Sequence, residues 1–444
     1  MDRFSKKWVY ITLCAIVLLG LQLRLQSIRY TVVDTPIRAD AREYLIYALN
    51  LKQFHIYSNS TDALEGKASK PTPDAIRTPG YPLFLTIFIG NAVTNNTLYL
   101  ITIVQALLSA ITICLAYFTF ATLLNRPLAL IVALLTAISP HLVFTNVYIL
   151  SETLSCFLLM LFLWFLSRWR SNSTVWLILV TGMLLALTTL TRPWTQYFPI
   201  LLVPLMAASS PLPQPKHSAV WFSLGFILFM MTWIMRNYFT LGVFSNDSVM
   251  IHSLYQGHFP GLMYDNRPET LAYPHRFDPR QMEVTSSLSN VLREIVRRFR
   301  DHPLDYLSWY LFGKPALLFS WDIFEGQGDL LIYPVFRTPY ADFALFKATH
   351  WIMHTLHYWV VLLAAMASVF AWLPNSIINN QCFMLRCLSL LFGYFVLIHC
   401  ILKPEARYLI PMLPVVYGLA MFGLCYLWGL LKLLTTPTKS RLMS

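Results

Sequence analysis

Long apolar runs constrain this chain more than any other feature of its sequence. A helix needs about 20 residues to cross the hydrocarbon core of a bilayer. Blocks of that order fall at roughly 8–25, 97–123, 127–140, 152–167, 175–191, 196–210, 218–236, 346–372, 385–402 and 408–431, the shorter ones extending into their flanks. Only 12% of the 444 residues are charged and 57% are hydrophobic, too little charge to cover a soluble protein of this length. The expected fold is all-α, a polytopic integral membrane protein with about ten transmembrane helices. The first block follows Arg3, Lys6 and Lys7 as a signal peptide would, but its far end, Leu21-Gln22-Leu23-Arg24-Leu25-Gln26, has no small-residue cleavage site. A retained signal-anchor helix is expected there.

Short loops orient such a bundle, because Lys and Arg accumulate on the cytoplasmic side. With the N-terminus inside, the inner loops carry Arg126, Arg168 with Arg170, Lys216 and Arg386, and the inner C-terminus carries Lys432, Lys439 and Arg441. Two long outer regions remain, 26–96 and 237–345. Neither has the composition of a soluble domain with its own core, so the chain reads as one membrane domain, 1–444. The first outer loop runs against the charge rule, with seven Lys/Arg offset by six acids in 26–78. Within it Tyr44, Leu45, Tyr47, Ala48 and Leu51 recur at helical spacing, and 79–93 is apolar but short for a span. In the second region Leu288, Val291, Leu292, Ile295, Val296 and Phe299 form a stripe, with Arg293, Arg297 and Arg298 on the other face and Glu294 four before Arg298. These patterns predict interfacial, amphipathic helices in both outer regions.

A net charge of +12 would suit nucleic acid, but the basic residues sit at the ends of apolar segments and in the loops beside them. Membrane lipids or a phosphorylated lipid fit that placement better, and no nucleic-acid partner is expected. The seven cysteines lie in or beside apolar segments without metal-ligand spacing, as small apolar fillers do. His350 and His354 are four apart, yet no HExxH pattern or third ligand accompanies them, which predicts a membrane-edge pair and no metal site.

The residues that could carry chemistry gather near the outer ends of helices. Asp40, in Arg38-Ala39-Asp40-Ala41-Arg42-Glu43-Tyr44, opens the first interfacial helix, whose dipole favours an ionised carboxylate able to accept a proton. Asp is equally a preferred cap residue, and spacing alone leaves both roles open. Glu152, in Leu150-Ser151-Glu152-Thr153-Leu154, stands at the mouth of an apolar helix. A charge near the membrane core costs roughly 2.5–3.5 kcal/mol on insertion scales and tends to be functional; the other reading is a solvated helix start capped by Ser151. Arg77, Arg192, Arg236 and Arg407 lie at outer helix ends, where a guanidinium either binds phosphate or snorkels to head groups.

Taken together these segments resemble the GT-C superfamily of integral-membrane glycosyltransferases, in the branch of protein O-mannosyltransferases and the aminoarabinose transferases of lipid A. The similarity is carried, in order, by Ala39-Asp40-Ala41-Arg42-Glu43-Tyr44; Arg77-Thr78-Pro79-Gly80-Tyr81-Pro82; Ser139-Pro140 with Ser151-Glu152-Thr153-Leu154; Arg192-Pro193; and Glu405-Ala406-Arg407-Tyr408-Leu409-Ile410-Pro411. The resemblance implies a sugar donor on a polyprenyl phosphate and a lipid, glycan or protein acceptor. It implies Asp40 as base in an inverting transfer, and Arg77, Tyr81, Arg192, Arg236 and Arg407 as substrate-binding residues. Glu152 would orient the acceptor or hold a divalent cation; no other cofactor is implied. The site would face the periplasm or exterior of a bacterial inner (plasma) membrane. Asp40 is followed by Ala41 where the strict mannosyltransferase pair has Glu, which leaves sugar and acceptor open. A polyprenyl-linked lipid or glycan flippase is the alternative; it would place charges at mid-membrane depth, and this chain has few.

Overall fold

Because no water reaches the backbone inside a bilayer, each apolar run satisfies its own hydrogen bonds as a helix. The computed structural model describes residues 6–61, 70–90, 92–169, 174–208, 214–263, 272–323, 328–373 and 382–435. Arg170, Lys439 and Arg441, which entered the orientation argument, lie outside them.

The chain opens with α1 (Lys6–Tyr30), a short strand β1 (Val32–Val33), α2 (Ala39–Phe54) and α3 (Gly80–Thr86). Then come α4 (Asn95–Phe120), α5 (Arg126–Ile138), α6 (Pro140–Phe144), α7 (Glu152–Ser167), α8 (Val175–Thr191), α9 (Phe198–Ala207) and α10 (Pro215–Leu241). The second outer region holds α11 (Ser248–Gly257), α12 (Gln281–Val284), α13 (Leu288–Asp301), α14 (Pro303–Ser308), α15 (Lys314–Leu318), β2 (Val335–Arg337) and α16 (Pro339–Asp342). The last three are α17 (Ala344–Phe370), α18 (Cys382–Ile401) and α19 (Leu413–Thr435). The protein is an all-α, multi-pass membrane protein. Among the described residues six helical segments are long and apolar enough to span: α1, α4, α10, α17, α18 and the stretch leading into and along α19. A seventh is α5 followed by Pro140–Val147, bent by 51°. The other three expected segments are the shorter apolar helices α7, α8 and α9.

Helix ends follow local chemistry. Asn125 caps α5 by accepting from the Leu128 amide, with Pro127 in the first turn. The bend after α5 falls at Ser139-Pro140, where proline cannot continue the ladder. Arg24, buried in α1, takes up the polar groups exposed there: it donates to the carbonyls of Thr136 (3.2 Å) and Ala137 (2.9 Å) and to Ser109 Oγ (2.7 Å). A positive group at a helix C-terminus is the favourable sign.

Helices α8 and α10 touch at a glycine. A Cβ added at Gly182 would lie 2.1 Å from the Phe222 carbonyl oxygen, so the two backbones approach as closely as small residues in a membrane interface allow. Gly182→Ala is expected to destabilise the purified protein by about 1–3 kcal/mol through overpacking. Thermal denaturation in detergent reads this, with no loss for Gly90→Ala, whose added methyl meets open space.

The two long connecting regions, 26–96 and 237–345, are tied together. Strands β1 and β2 pair antiparallel, Val32 opposite Arg337 and Val33 opposite Val335, and the Asp34 amide donates to Pro334 O at 2.9 Å. This pairing brings Tyr333 over the start of α2. The amphipathic expectation for α2 needs correction: Tyr44 through Asn50 are all buried, so it does not present one face to water. The returning chain covers the other face, with Asn50 Nδ2 donating to Ser58 O (2.8 Å) and Ser60 O (2.9 Å) and Tyr47 stacked on Tyr57 at 4.2 Å.

Candidate active site

The acidic residues of two loops meet on one guanidinium. Arg407, in the 3-10 stretch before α19, donates from Nε to Glu152 Oε1 (2.5 Å) and from Nη2 to Asp40 Oδ2 (2.5 Å). Arg77 Nη2 holds Asp40 Oδ1 at 2.7 Å and its Nε holds Glu43 Oε2 at 2.6 Å. Arg192 Nη1 reaches Glu152 Oε1 at 2.7 Å and Ser151 Oγ at 3.3 Å. Three carboxylates therefore balance three guanidiniums. Two of the acids, Asp40 and Glu152, lie in the first turns of α2 and α7, where the helix dipoles favour negative charge.

Each arm is placed by its own local structure. Arg38 occupies the cap position of α2 and Asp40 lies inside the first turn, so Asp40 is no simple cap. Ala39, next to it, has φ of 42°, a left-handed conformation uncommon for a residue with a Cβ and concentrated at functional sites. Arg77 rides on an extended segment whose carbonyl, with that of Thr78, accepts from the Tyr57 hydroxyl at 2.9 and 3.1 Å. Gly80 lets that segment press on the end of α8, since a Cβ there would stand 2.8 Å from the Leu190 carbonyl oxygen. Arg192 follows α8 directly in extended conformation and stacks over the Tyr408 ring at 5.3 Å. Ser151 precedes α7 without capping it through its side chain, and Glu152 is fully buried, unlike a solvated helix start.

Asp40 remains the more accessible acid of the pair, with its side chain 23% exposed against none for Glu152. Burial alone would raise the Asp40 carboxyl. Arg407, then Arg77, outweigh that and hold it well below the usual carboxylate range.

Two expected substrate contacts sit elsewhere. Tyr81 is completely buried and its hydroxyl donates to Gln105 Oε1 at 2.7 Å, so it supports Tyr44, whose ring it meets edge-on at 5.0 Å. Arg236 is outside the cluster. It donates to Asp74 O (2.6 Å) and Tyr57 O (3.0 Å) and lies over the Tyr57 and Trp233 rings. There it lines an open cleft of about 740 Å³, mostly apolar, with Tyr57, Lys70, Pro79, Leu83 and Trp233. Pro79 joins the wall of this cleft to the Arg77 segment.

Sequence reasoning did not single out Glu43 or Tyr333. Glu43 carries a readable signal, three residues beyond Asp40 on the same helix. Tyr333 carries none: its hydroxyl lies 3.4 Å from the Ala41 amide and Arg38 stacks over its ring at 5.6 Å only because β2 pairs with β1. The histidines are less scattered than their spacing suggests. His141, His350, His354 and His357 surround the Trp321 ring at 4.5–5.4 Å, and His350 Nε2 meets Asp329 at 2.8 Å. Among the described residues no group of three or more His, Cys, Asp or Glu side chains forms a metal cage. Between Asp40 and Glu152 the bridging position belongs to Arg407.

In overall fold the chain is similar to the Archaeoglobus fulgidus oligosaccharyltransferase tethered with an acceptor peptide containing the NVT sequon, with a TM-score of 0.56 at 14% identity over 98% of this chain and 51% of that one. It is similar also to the apo form of that enzyme (TM-score 0.53, 13% identity, 98% and 52% covered). A third structure, archaeal oligosaccharyltransferase AglB from Archaeoglobus fulgidus in complex with an inhibitory peptide and a dolichol-phosphate, gives 0.54 at 13% identity with 97% and 51% covered. The chain spans about half the length of these proteins. These likenesses show a shared fold. Residues 77–252 match the family described as dolichyl-phosphate-mannose-protein mannosyltransferase. That stretch includes Arg77, Glu152 and Arg192 and leaves out Asp40 and Arg407. No curated protein matches the chain by sequence.

Proposed function

We propose that the protein transfers a sugar from a polyprenyl-phosphate donor to a lipid, glycan or protein acceptor on the outer side of a bacterial inner (plasma) membrane. The observation that carries this reading is the Arg407 bridge between Asp40 and Glu152, with Arg77 and Arg192 closing the cluster. The dolichyl-phosphate family description and the dolichol-phosphate bound by AglB support the donor class.

The anomeric carbon gains positive character as the phosphate departs. Arg77 and Arg407 hold the leaving phosphate, and fixed charges of this kind often lower a reaction barrier more than any other single effect. Asp40 takes the proton of the attacking acceptor group while the new bond forms opposite the leaving phosphate, so the configuration inverts. In the resting protein both Asp40 oxygens are engaged by guanidiniums, and such a carboxylate is a weak base. A phosphate competes for the same two forks. Donor binding therefore frees the Asp40 oxygens as it clamps the leaving group. Glu152 Oε2, buried and receiving no hydrogen bond from the described residues, is the acceptor for a substrate hydroxyl. The apolar cleft beside Pro79 takes the prenyl chain, with Arg236 at its wall.

The test is purified protein with a panel of polyprenyl-phosphate sugars and mixed acceptors, following release of polyprenyl phosphate and the anomeric configuration of the product. Transfer with inversion is expected. No turnover with any donor, together with movement of labelled donor across vesicle membranes, would assign the cluster to a flippase.

A further inference from the structure

The long helix of the second outer region shows two unlike faces. Inward, α13 buries Val291 and Glu294; Glu294 is held by Arg280 (3.2 Å), Arg297 (2.7 Å) and Arg298 (2.7 Å). Outward, Leu292 and Val296 stand 47% and 59% exposed. Together with Arg293, Arg297 and Arg300 they line a shallow depression of about 350 Å³. The chain then turns through α14 into a single π turn, Trp309–Gly313. There Leu304, Leu307, Leu311 and Phe312 are all at least half exposed.

The depth of this elbow relative to the membrane is set by its anchor. Lys314, fully buried, donates from Nζ to the carbonyls of Cys400 (2.8 Å), Ile401 (3.3 Å) and Leu402 (3.0 Å), at the C-terminal end of the spanning helix α18. Trp309 Nε1 donates to Gly257 O at 3.0 Å beside the same end. A spanning helix ends at the bilayer boundary, so the elbow fastened to it lies at head-group level. Exposed aliphatic side chains there have hydrocarbon to enter, and arginines there have phosphates to meet.

We infer that α13 and α14 form an interfacial anchor whose arginines bind the anionic phospholipids of the leaflet that faces the candidate active site. Charge complementarity selects the occupant: three outward arginines beside an apolar stripe fit an acidic head group with its acyl chains. Each basic residue near an anionic surface contributes about fivefold in partitioning, so Arg293 and Arg300 together contribute roughly twentyfold, Arg297 being already paired with Glu294. The inference does not depend on which sugar is transferred, or on whether one is.

The test is amide hydrogen exchange of the full chain in nanodiscs of phosphatidylcholine, with and without phosphatidylglycerol. Exchange across 288–312 is expected to slow at least tenfold in the anionic discs. High salt should erase the difference, because it screens exposed charges. The triple variant Arg293→Gln, Arg297→Gln, Arg300→Gln should lose it at low salt. That variant leaves Glu294 its bonds to Arg280 and Arg298 and leaves Val291 packed, so exchange elsewhere in the chain reports that the fold is intact. Equal protection in both lipid compositions overturns the proposal. So does protection that appears in neutral discs only when a polyprenyl phosphate is added, which would give the surface to substrate.

Discussion

Asp40→Asn is expected to lower turnover by about 10²–10⁴-fold, the range associated with losing a positioned general base, while donor KM stays level or falls. The carboxamide preserves shape, and each arginine keeps a second carboxylate: Arg77 keeps Glu43 and Arg407 keeps Glu152. Both guanidiniums then stand freer for the donor phosphate, which is why KM should not rise. The pH profile separates a base from a merely structural acid. A base must be ionised, so rate falls as pH falls through its pKa. In the free protein the two arginines hold Asp40 well below the ordinary aspartate value of about 3.9, and the acid limb of kcat/KM should lie below that value. Once phosphate draws the arginines away the carboxyl pKa rises, so the acid limb of kcat should appear at higher pH than that of kcat/KM. Asp40→Asn should lack the limb. Wild-type turnover in the variant would remove Asp40 as the base and shift attention to Glu152.

How much of this was legible in the sequence depends on the range of the interactions. Helices α4, α5, α7, α8 and α10 announce themselves by apolar runs that only a helix can carry through a bilayer, and the two ends of α5 by Asn125-Arg126-Pro127 and Ser139-Pro140. The charged groups of the cluster were legible too, because Asp40, Arg77, Glu152, Arg192 and Arg407 each stand in a short motif beside an apolar segment. Their mutual pairing was not legible: Asp40 and Arg407 are 367 positions apart, and nothing local says that one guanidinium spans two acids. The burial of α2 was misread for a related reason. Its spacing describes one apolar face, while the other is covered by Tyr57, Ser58, Ser60 and Asp74, from stretches without periodicity of their own. Tyr333 and the ring of histidines about Trp321 depend wholly on chain pairing at β1–β2 and on packing against α17. Arg236 shows the converse, a charge near the end of α10 that packing turned toward a different cavity.

Replacing Glu152 tests whether the cluster is one electrostatic unit. Its carboxylate is fully buried and receives both Arg192 and Arg407 through the same oxygen. Glu152→Gln leaves those guanidiniums with Asp40 as the nearest remaining acid on Arg407 and none on Arg192. Removing one partner of a buried ion pair costs roughly 3–5 kcal/mol. The lower end applies here, about 3 kcal/mol, because Arg192 keeps Ser151 and the Tyr408 ring while Arg407 keeps Asp40. Adding Arg192→Gln removes the unpaired cation and should return part of the loss, a coupling within the range of about 0.5–3 kcal/mol seen for residues sharing a network. Activity should behave differently. With Glu152 gone, Arg407 is no longer held between two acids, and a phosphate-binding group misplaced by about 1 Å costs on the order of 10²-fold; Arg192→Gln cannot restore that. The expected pattern is partial rescue of stability without rescue of transfer, read by denaturation of the detergent-solubilised protein and by the donor assay on the same preparations. A loss near 1 kcal/mol for Glu152→Gln, with no coupling to Arg192, would reduce Glu152 to the start of a helix.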